Sequence, residues 1–350
     1  MSKKTTEQEK KNISDDPSEG LIKVNKLNQS EKLKALLSLF KKEDNVLIVI
    51  VADPDSMASA FAMKRILSRR VNEITICYPN EIKRVNNIAM KDLLKIPLQK
   101  WKSIKKENFN KKILIDSQPS HNEEICKYCY DAVIDHHPVT QGWSAQFIDI
   151  RPDYGAVSSM MVEYLKAAKI KTSVYLATAL CYGIKVDSQN FTKKSIYQDV
   201  LAFQYIFNHV NKQLLKKIEI ADIKRDELRY FLFAIDNLKI SKNRIYIHLG
   251  KVKNPDILVV LADFFTHVYE IGWVIVSGFY NDKLIVIFRS DGYRKDAGLL
   301  AQEVFGNMGF AGGHKQSARA EIAISNFPDE DIVLKFTTST LQKYITKHLN

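Results

Sequence analysis

The chain opens its first ordered pattern with Leu33, Leu36, Leu37 and Phe40 recurring at helical spacing after Ser30, which predicts an amphipathic helix that stops near Asp44-Asn45. VLIVIVA (46–52) is then apolar throughout, as expected of a strand covered on both faces of a parallel sheet. SMASAFAMKRILSRR (56–70) places small and apolar residues at helix spacing, and EITICY (73–78) reads as a strand again. The order is β-α-β, the unit of an open parallel sheet. KILID (112–116) and DAVIDHH (131–137) add short strands that end on ionisable residues. Helices are predicted at 154–169 and 174–187, the latter running into a turn at Gly183 before Asp187, and more helices over 195–237.

A second unit starts near Arg244 with the strand-like RIYIHLG, followed by a helix over 255–269. GWVIVSGFYNDKLIVIFRS (272–290) reads as a hairpin whose Asn281-Asp282 suits a tight turn. A glycine-rich segment (306–318), a strand RAEIAI and a last helix at about 329–347 complete the pattern. The fold class is therefore α/β: an N-terminal parallel-sheet domain (30–194), a helical linker (195–240) and a smaller C-terminal α/β domain (241–350), preceded by a disordered tail (1–29).

Composition narrows the picture. The chain is 45% hydrophobic and 26% charged, and no apolar run reaches the roughly 18 residues that a membrane helix needs. The N-terminal residues lack the apolar stretch of a secretory signal. Cys77, Cys126, Cys129 and Cys181 make no disulfide framework, which points to a reducing cytoplasm. Cys126-x-x-Cys129 is expected to pack on a helix before the second short strand. A net charge of +12 favours a polyanionic partner, nucleic acid or a phosphorylated small molecule.

Ionisable residues gather at the carboxyl ends of the first domain's strands: Asp53, Asp55, Asp116, then Asp135, His136 and His137, with Asp187 after a helix. In open α/β sheets ligands bind there, so these groups are expected to meet in one crevice. Bare carboxylates so close would raise one another's pKa values, a conflict that divalent cations remove. Carboxylates with imidazole suit Mn²⁺ or Mg²⁺. Two such ions about 3.5–4 Å apart would serve phosphoryl chemistry, with Asp116 as the carboxylate between them. His121, His209, His248, His267 and His348 belong to no motif and are expected to be structural or on the surface.

These motifs resemble a known family. VIDHHPV resembles the motif that names the DHH phosphoesterases, and ADPDSMASA, ILIDSQPS and CYGIKVDSQNF resemble that family's first, second and fourth motifs in order. IFRSDGYRKDAGLLAQEVFGNMGFAGGHKQSARAEI is similar to the associated DHHA1 domain. The resemblance covers roughly residues 30–345. It implies an active site in the cleft between the two domains, with Asp53 and Asp116 on one Mn²⁺ and Asp55, Asp116, His136 and Asp187 on the other. Asp135 would orient an imidazole, His137 would face the phosphate, and Arg289, Gly312, Gly313 and His314 would hold the nucleotide or polyphosphate end. Val49 stands where many small-substrate members carry a histidine, and Arg319 where a glycine is usual.

The implied activity is hydrolysis of phosphate esters in small nucleotides or short oligonucleotides, an oligoribonuclease-like enzyme without a membrane partner and with a homodimer as one assembly. A single-strand-specific exonuclease, an exopolyphosphatase or pyrophosphatase, and a nucleotide sensor without turnover remain alternatives.

Overall fold

Strand β1 (Asn45–Val49) carries side chains that alternate between two apolar layers: Val46 and Ile48 enter one, Leu47 and Val49 the other. This is why the segment reads as continuously hydrophobic. The structure is a computed structural model that describes residues 24, 26–192, 195–221, 223–293, 295–327 and 331–348. The expected tail lies almost wholly outside the described residues. The chain divides into two units, Met1–Ala221 and Asp222–Asn350.

The first unit is built on six parallel strands: β1, β2 (Glu73–Tyr78), β3 (Leu98–Lys100), β4 (Lys111–Ile115), β5 (Ala132–Asp135) and β6 (Phe147–Ile150). Their order is β3-β2-β1-β4-β5-β6, which reverses direction between β1 and β4. Helices α1 (Gln29–Leu37), α2 (Pro54–Leu67), α3 (Val85–Leu93), α4 (Val157–Ala167), α5 (Val174–Asp187), α6 (Tyr197–Phe207) and α7 (Lys212–Glu219) follow the predicted pattern except for α3, which the sequence reading missed along with β3 and β6. The helices' buried residues, such as Leu36, Met63, Met160, Leu180 and Ile218, join the layer of Val46 and Ile48. The other face is covered by irregular chain, with Trp101, Ile104, Phe109, Ile125 and Tyr130 packed on Leu47, Val49, Leu114 and Val133. The lysine-rich run 99–112 is thus a cover whose aromatic and aliphatic residues point inward while Lys100, Lys102 and Lys105 stay exposed. Each such side chain fully buried is worth about 1.5–3 kcal/mol.

Gly183 does not make a turn. Helix α5 continues through it, and a Cβ there would lie 2.5 Å from Ser158 Oγ and 3.2 Å from Asp55 Cα, so the glycine allows α5 to approach α4 and the start of α2. Cys126 and Cys129 also depart from expectation: both are exposed, Cys126 in a turn and Cys129 in irregular chain, and neither is on a helix.

The second unit holds α8 (Leu228–Asn237), β7 (Lys239–Ser241), β8 (Arg244–Lys251), α9 (Asp256–Phe265), β9 (Trp273–Tyr280), β10 (Lys283–Ser290), α10 (Ala297–Phe305), β11 (Phe310–His314), β12 (Ser317–Ala323), α11 (Ile332–Lys335) and α12 (Thr338–Thr346). The sheet order is β11-β12-β10-β9-β8-β7, antiparallel except for the β8–β9 pair. The predicted hairpin is present, with positive φ at Asn281 (46°) and Asp282 (56°), as a two-residue hairpin turn requires. Helices cover both faces: α10 and α12 pack on Tyr246, Ile275 and Phe288, while α9 packs on Ile245, Ile247 and Val276. The predicted last helix is two, α11 and α12, and its residues 329–330 lie outside the described ones. Among the described residues, no helix is long and apolar enough to cross a membrane.

Candidate metal centre

The sheet order places the reversal between β1 and β4, and the loops that leave both strands there carry carboxylates. Asp53 caps α2: its Oδ1 accepts from Ser56 N at 2.9 Å, and Ser56 Oγ accepts from Asp53 N at 2.9 Å. Asp55, in the first turn of the same helix, is buried against the start of α4, where Oδ2 accepts from Val157 N at 2.6 Å and Oδ1 from Ser158 N at 2.7 Å. A helix N-terminus suits a carboxylate. Burial nevertheless dominates, and together with Asp187 and Asp53 it lifts Asp55 to about 6 against the opposing pull of His136 and Ser158. Asp53 is also raised, first by burial.

Asp116 follows β4. Its N–H still donates to Ile134 O at 2.9 Å, after which a positive φ of 59° turns the chain off the sheet. Aspartate is among the residues that tolerate this conformation. Burial and the neighbouring Asp55, Asp53, Asp135 and Asp187 push its carboxyl well above the usual range, and its Oδ1 is buried without a hydrogen-bond partner.

His136 links the carboxylates. Its Nδ1 donates to Tyr154 O at 3.1 Å, which turns Nε2 toward Asp187 Oδ2 at 3.0 Å and Asp116 Oδ1 at 3.5 Å. Although burial opposes its charge, the hydrogen bond to Asp187 and the charge of Asp55 raise its pKa to about 9. His137 points elsewhere: its Nδ1 donates to Asp135 Oδ1 at 2.8 Å, and that hydrogen bond raises its pKa. Burial pushes Asp135 up, but hydrogen bonds from His137 and from Gln118 Nε2 at 2.7 Å hold it below its ordinary value.

Asp55, His136 and Asp187 offer ligand atoms within 4.8 Å of one another, as do Asp116, His136 and His137. Asp53 lines a cavity with Asp55 and Asp187. All six ionisable residues predicted for the strand ends, together with Asp187, therefore come together in the first unit. Val49, at the end of β1, is fully buried in the apolar layer beside Cys77 and Leu114, its strand neighbours.

In the second unit, Arg289 pairs with Asp263 (Nε–Oδ1 2.5 Å). Gly312, Gly313 and His314 form β11 and pair with Arg319, Ala318 and Ser317 of β12. A Cβ at Gly313 would lie 2.3 Å from Ser317 O, so close contact between these strands by itself requires glycine there.

Two residues near the centre escaped the sequence reading. Gln118 is fully buried and holds Asp135 while its Oε1 accepts from Thr140 N at 2.7 Å. It lies two residues after Asp116, inside the second motif. His121, read as structural or surface, sits with its ring centroid 5.4 Å from that of His137. Its Nδ1 accepts from Gln118 N at 3.2 Å, which leaves the proton on Nε2.

The donor set fits divalent cations. A buried, unpartnered carboxylate oxygen costs about 1–3 kcal/mol, and several buried carboxylates beside a single imidazole leave an excess of negative charge. An imidazole whose Nδ1 is tied to a carbonyl presents Nε2 as a ligand.

The chain is also similar to known proteins. Residues 45–184 match the family described as DHH family, N-terminal domain. An uncharacterized protein of Methanocaldococcus jannaschii is 31% identical over 310 residues, which is 88% of this chain and 63% of that protein. The chain thus spans less than two thirds of the length of this curated relative. Among solved structures, an exopolyphosphatase-related protein from Bacteroides fragilis is similar with a TM-score of 0.56 at 14% identity, over 91% of this chain and 96% of that one. A putative family II inorganic pyrophosphatase of Methanococcus jannaschii has a TM-score of 0.43 at 15% identity, over 86% of this chain and 99% of that one.

Proposed function

We propose, from the premise that residues 45–184 are a DHH-family N-terminal domain, that the protein hydrolyses phosphate esters of small nucleotides or short oligonucleotides with two divalent cations, preferentially Mn²⁺. The observation that carries the reading is the buried Oδ1 of Asp116, which accepts no hydrogen bond and has only His136 Nε2 3.5 Å away, set beside Asp55 and Asp187. Asp53 and Asp116 would hold one ion, and Asp55, Asp116, His136 and Asp187 the other, with Asp116 shared. When bound, the ions supply positive charge that keeps the carboxylates ionised and makes water beside the phosphorus a better nucleophile.

The chain's own residues do the rest. His136 keeps Nε2 aimed at the centre because Tyr154 O fixes its Nδ1 proton. Gln118 fixes Asp135, which accepts the Nδ1 proton of His137 and favours the imidazolium, whose Nε2–H would donate to a phosphoryl oxygen as charge develops. Arg289, Gly312, Gly313 and His314 are proposed to hold the nucleotide end, Arg289 exchanging Asp263 for phosphate.

The test is hydrolysis by purified protein with Mn²⁺ of a panel: 3′-phosphoadenosine-5′-phosphate, linear dinucleotides, short RNA, single-stranded DNA and polyphosphate. Turnover of the small nucleotides that Asp116→Ala abolishes, with the fold intact by circular dichroism, supports the reading. Turnover retained in Asp116→Ala removes the shared-ligand assignment. Tight binding without hydrolysis of any substrate would replace the enzyme with a nucleotide sensor.

A further inference from the structure

We infer that Asp199 is a positioning residue for His136 and acts on it through one peptide group, the bond between Tyr154 and Gly155; only its effect on cation affinity rests on the metal-binding reading. Asp199 lies in the first turn of α6, beyond the segment CYGIKVDSQNF that carries Asp187. The sequence marks this stretch as no more than a linker.

Two hydrogen bonds make the connection. Asp199 Oδ2 accepts from Gly155 N at 2.9 Å, and Tyr154 O accepts from His136 Nδ1 at 3.1 Å. That N–H and that carbonyl are the two polar ends of the same planar group. A carboxylate, a peptide and an imidazole therefore form one hydrogen-bonded line, which ends at the Nε2 that faces Asp187 and Asp116. Donation to an anion polarises the peptide and makes its oxygen a stronger acceptor, because hydrogen bonds in series reinforce one another at low dielectric. The stronger acceptor keeps the proton on Nδ1, so that Nε2 is the nitrogen left for a cation and gives more electron density to it.

Burial indicates that charge, and not only shape, is what Asp199 supplies. The side chain is fully buried, Oδ2 also accepts from Ile196 N at 2.8 Å, and Oδ1 has no hydrogen-bond partner. Accepting two backbone N–H groups needs an oxygen but not a charge, and a carboxylate with one oxygen unpaired is costly to bury. The start of α6 offsets part of that cost.

The loop between β6 and α4 has other holds as well. Tyr154 Oη donates to Glu163 Oε1 at 2.9 Å, and the Arg151 guanidinium lies 5.1 Å from the centre of the Tyr154 ring. Farther along, Val157 N and Ser158 N donate to Asp55. Asp199→Asn thus separates charge from position: its amide oxygen can still accept from Gly155 and Ile196, and the loop keeps its remaining contacts.

The test is NMR of metal-free, deuterated and ¹⁵N-labelled protein, in which the His136 Nδ1 proton reports its own hydrogen bond. Asp199→Asn should move that proton upfield while the amide protons of Val157 and Ser158 stay in place. An unmoved His136 proton overturns the inference. So does a shift that Val157 and Ser158 share, which would mean a displaced loop. His136→Phe probes the link from its other end with Asp199 intact, and so decides even where Asp199→Asn does not fold. Tyr154 O then loses its donor and the Gly155 amide proton should move upfield; an unchanged Gly155 proton overturns the link.

Cation affinity measures the consequence. By calorimetry Asp199→Asn should weaken Mn²⁺ binding about tenfold, the lower end of what the outer partners of a metal-bound imidazole contribute. In a His136→Phe background the same change should cost less than about twofold, because the line is already cut. Equal losses in the two backgrounds overturn the inference. If wild type binds no Mn²⁺, an upfield His136 proton in Asp199→Asn upholds the peptide link while the metal-binding reading falls, and an unmoved one removes both.

Discussion

His248 offers a quantitative check on the second unit. It lies in β8 and is 6% exposed, with Nδ1 at 2.8 Å from Ser277 Oγ and Nε2 buried without a partner. Its ring packs against Phe279 (centroids 5.3 Å apart) and Phe336 (4.8 Å). Burial lowers its pKa from 6.5 to about 4. The folded state therefore takes up the proton later than the unfolded chain as pH falls. Stability is fully present above about 6.5 and is lost as pH drops toward 4. That depression corresponds to about 3 kcal/mol at full titration, and at pH 5 the loss is about 2 kcal/mol. His248→Phe keeps a ring in the aromatic cluster and leaves Ser277 Oγ facing Ile247 O, 3.5 Å away. Hydrogen exchange of β8 and β9 amides, followed by mass spectrometry at pH 7 and pH 5 and corrected for intrinsic rates, reads the local stability. Wild type should lose about 2 kcal/mol more than the variant between those values. Identical pH dependence in the two proteins would refute the assignment of a neutral, buried imidazole.

Other substitutions probe the support of the metal centre. Gln118→Leu removes the donor to Asp135 Oδ2 and the acceptor for Thr140 N; about 1–3 kcal/mol of stability should go in urea unfolding. The looser His137 should cost about tenfold or more in kcat with little change in KM. Gly183→Val places branched atoms where Ser158 Oγ and Asp55 Cα already stand, and thermal melting should show about 1–3 kcal/mol of overpacking cost together with weaker Mn²⁺ binding. A melting curve equal to wild type would show that α5 and α2 are not in the contact described.

The β-α-β core was legible because β1 is covered on both faces, so its apolar run carries no competing signal. Strand β6 was hidden by Asp149 in the middle of FIDI: the aspartate is fully buried, and the bidentate contact of Arg151, the reach of Lys32 from α1 and the hydroxyl of Tyr164 make it tolerable inside. Helix α3 carries two asparagines, Asn86 and Asn87, in its first turn and has no capping side chain, so neither its pattern nor its start was announced. Strand β11 is Phe-Ala-Gly-Gly-His, partly exposed at a sheet edge, and only pairing with β12 defines it. The carboxylates were legible because each ends an element, which is a local feature. Gln118 and His121 were not, because their meaning comes from Asp135 and His137, whose contact with them arises only when β4 and β5 pair.

His136 makes metal binding dependent on pH in a way that can be worked out in full. Asp53 and Asp55 are positioned by backbone donors, but Asp116 Oδ1 and Asp187 Oδ2 both face Nε2 of His136, at 3.5 Å and 3.0 Å. In the metal-free protein that imidazole serves as the cation of the cluster, with a pKa of about 9. A cation that takes Nε2 as a ligand must displace its proton, and the raised carboxyls of Asp116 and Asp55 add further protons to be displaced. Each proton displaced makes affinity change about tenfold per pH unit. Between pH 6 and pH 9 the Mn²⁺ affinity should therefore rise about tenfold per unit and flatten above about 9, as measured by titration calorimetry in buffers of differing ionisation enthalpy. His136→Gln, which lacks the imidazole proton, should bind Mn²⁺ more weakly and with a shallower slope than wild type between pH 7 and pH 9. Affinity in wild type that is flat from pH 6 to pH 9 would mean that His136 is not a ligand, and the second ion would then have to be held by carboxylates alone.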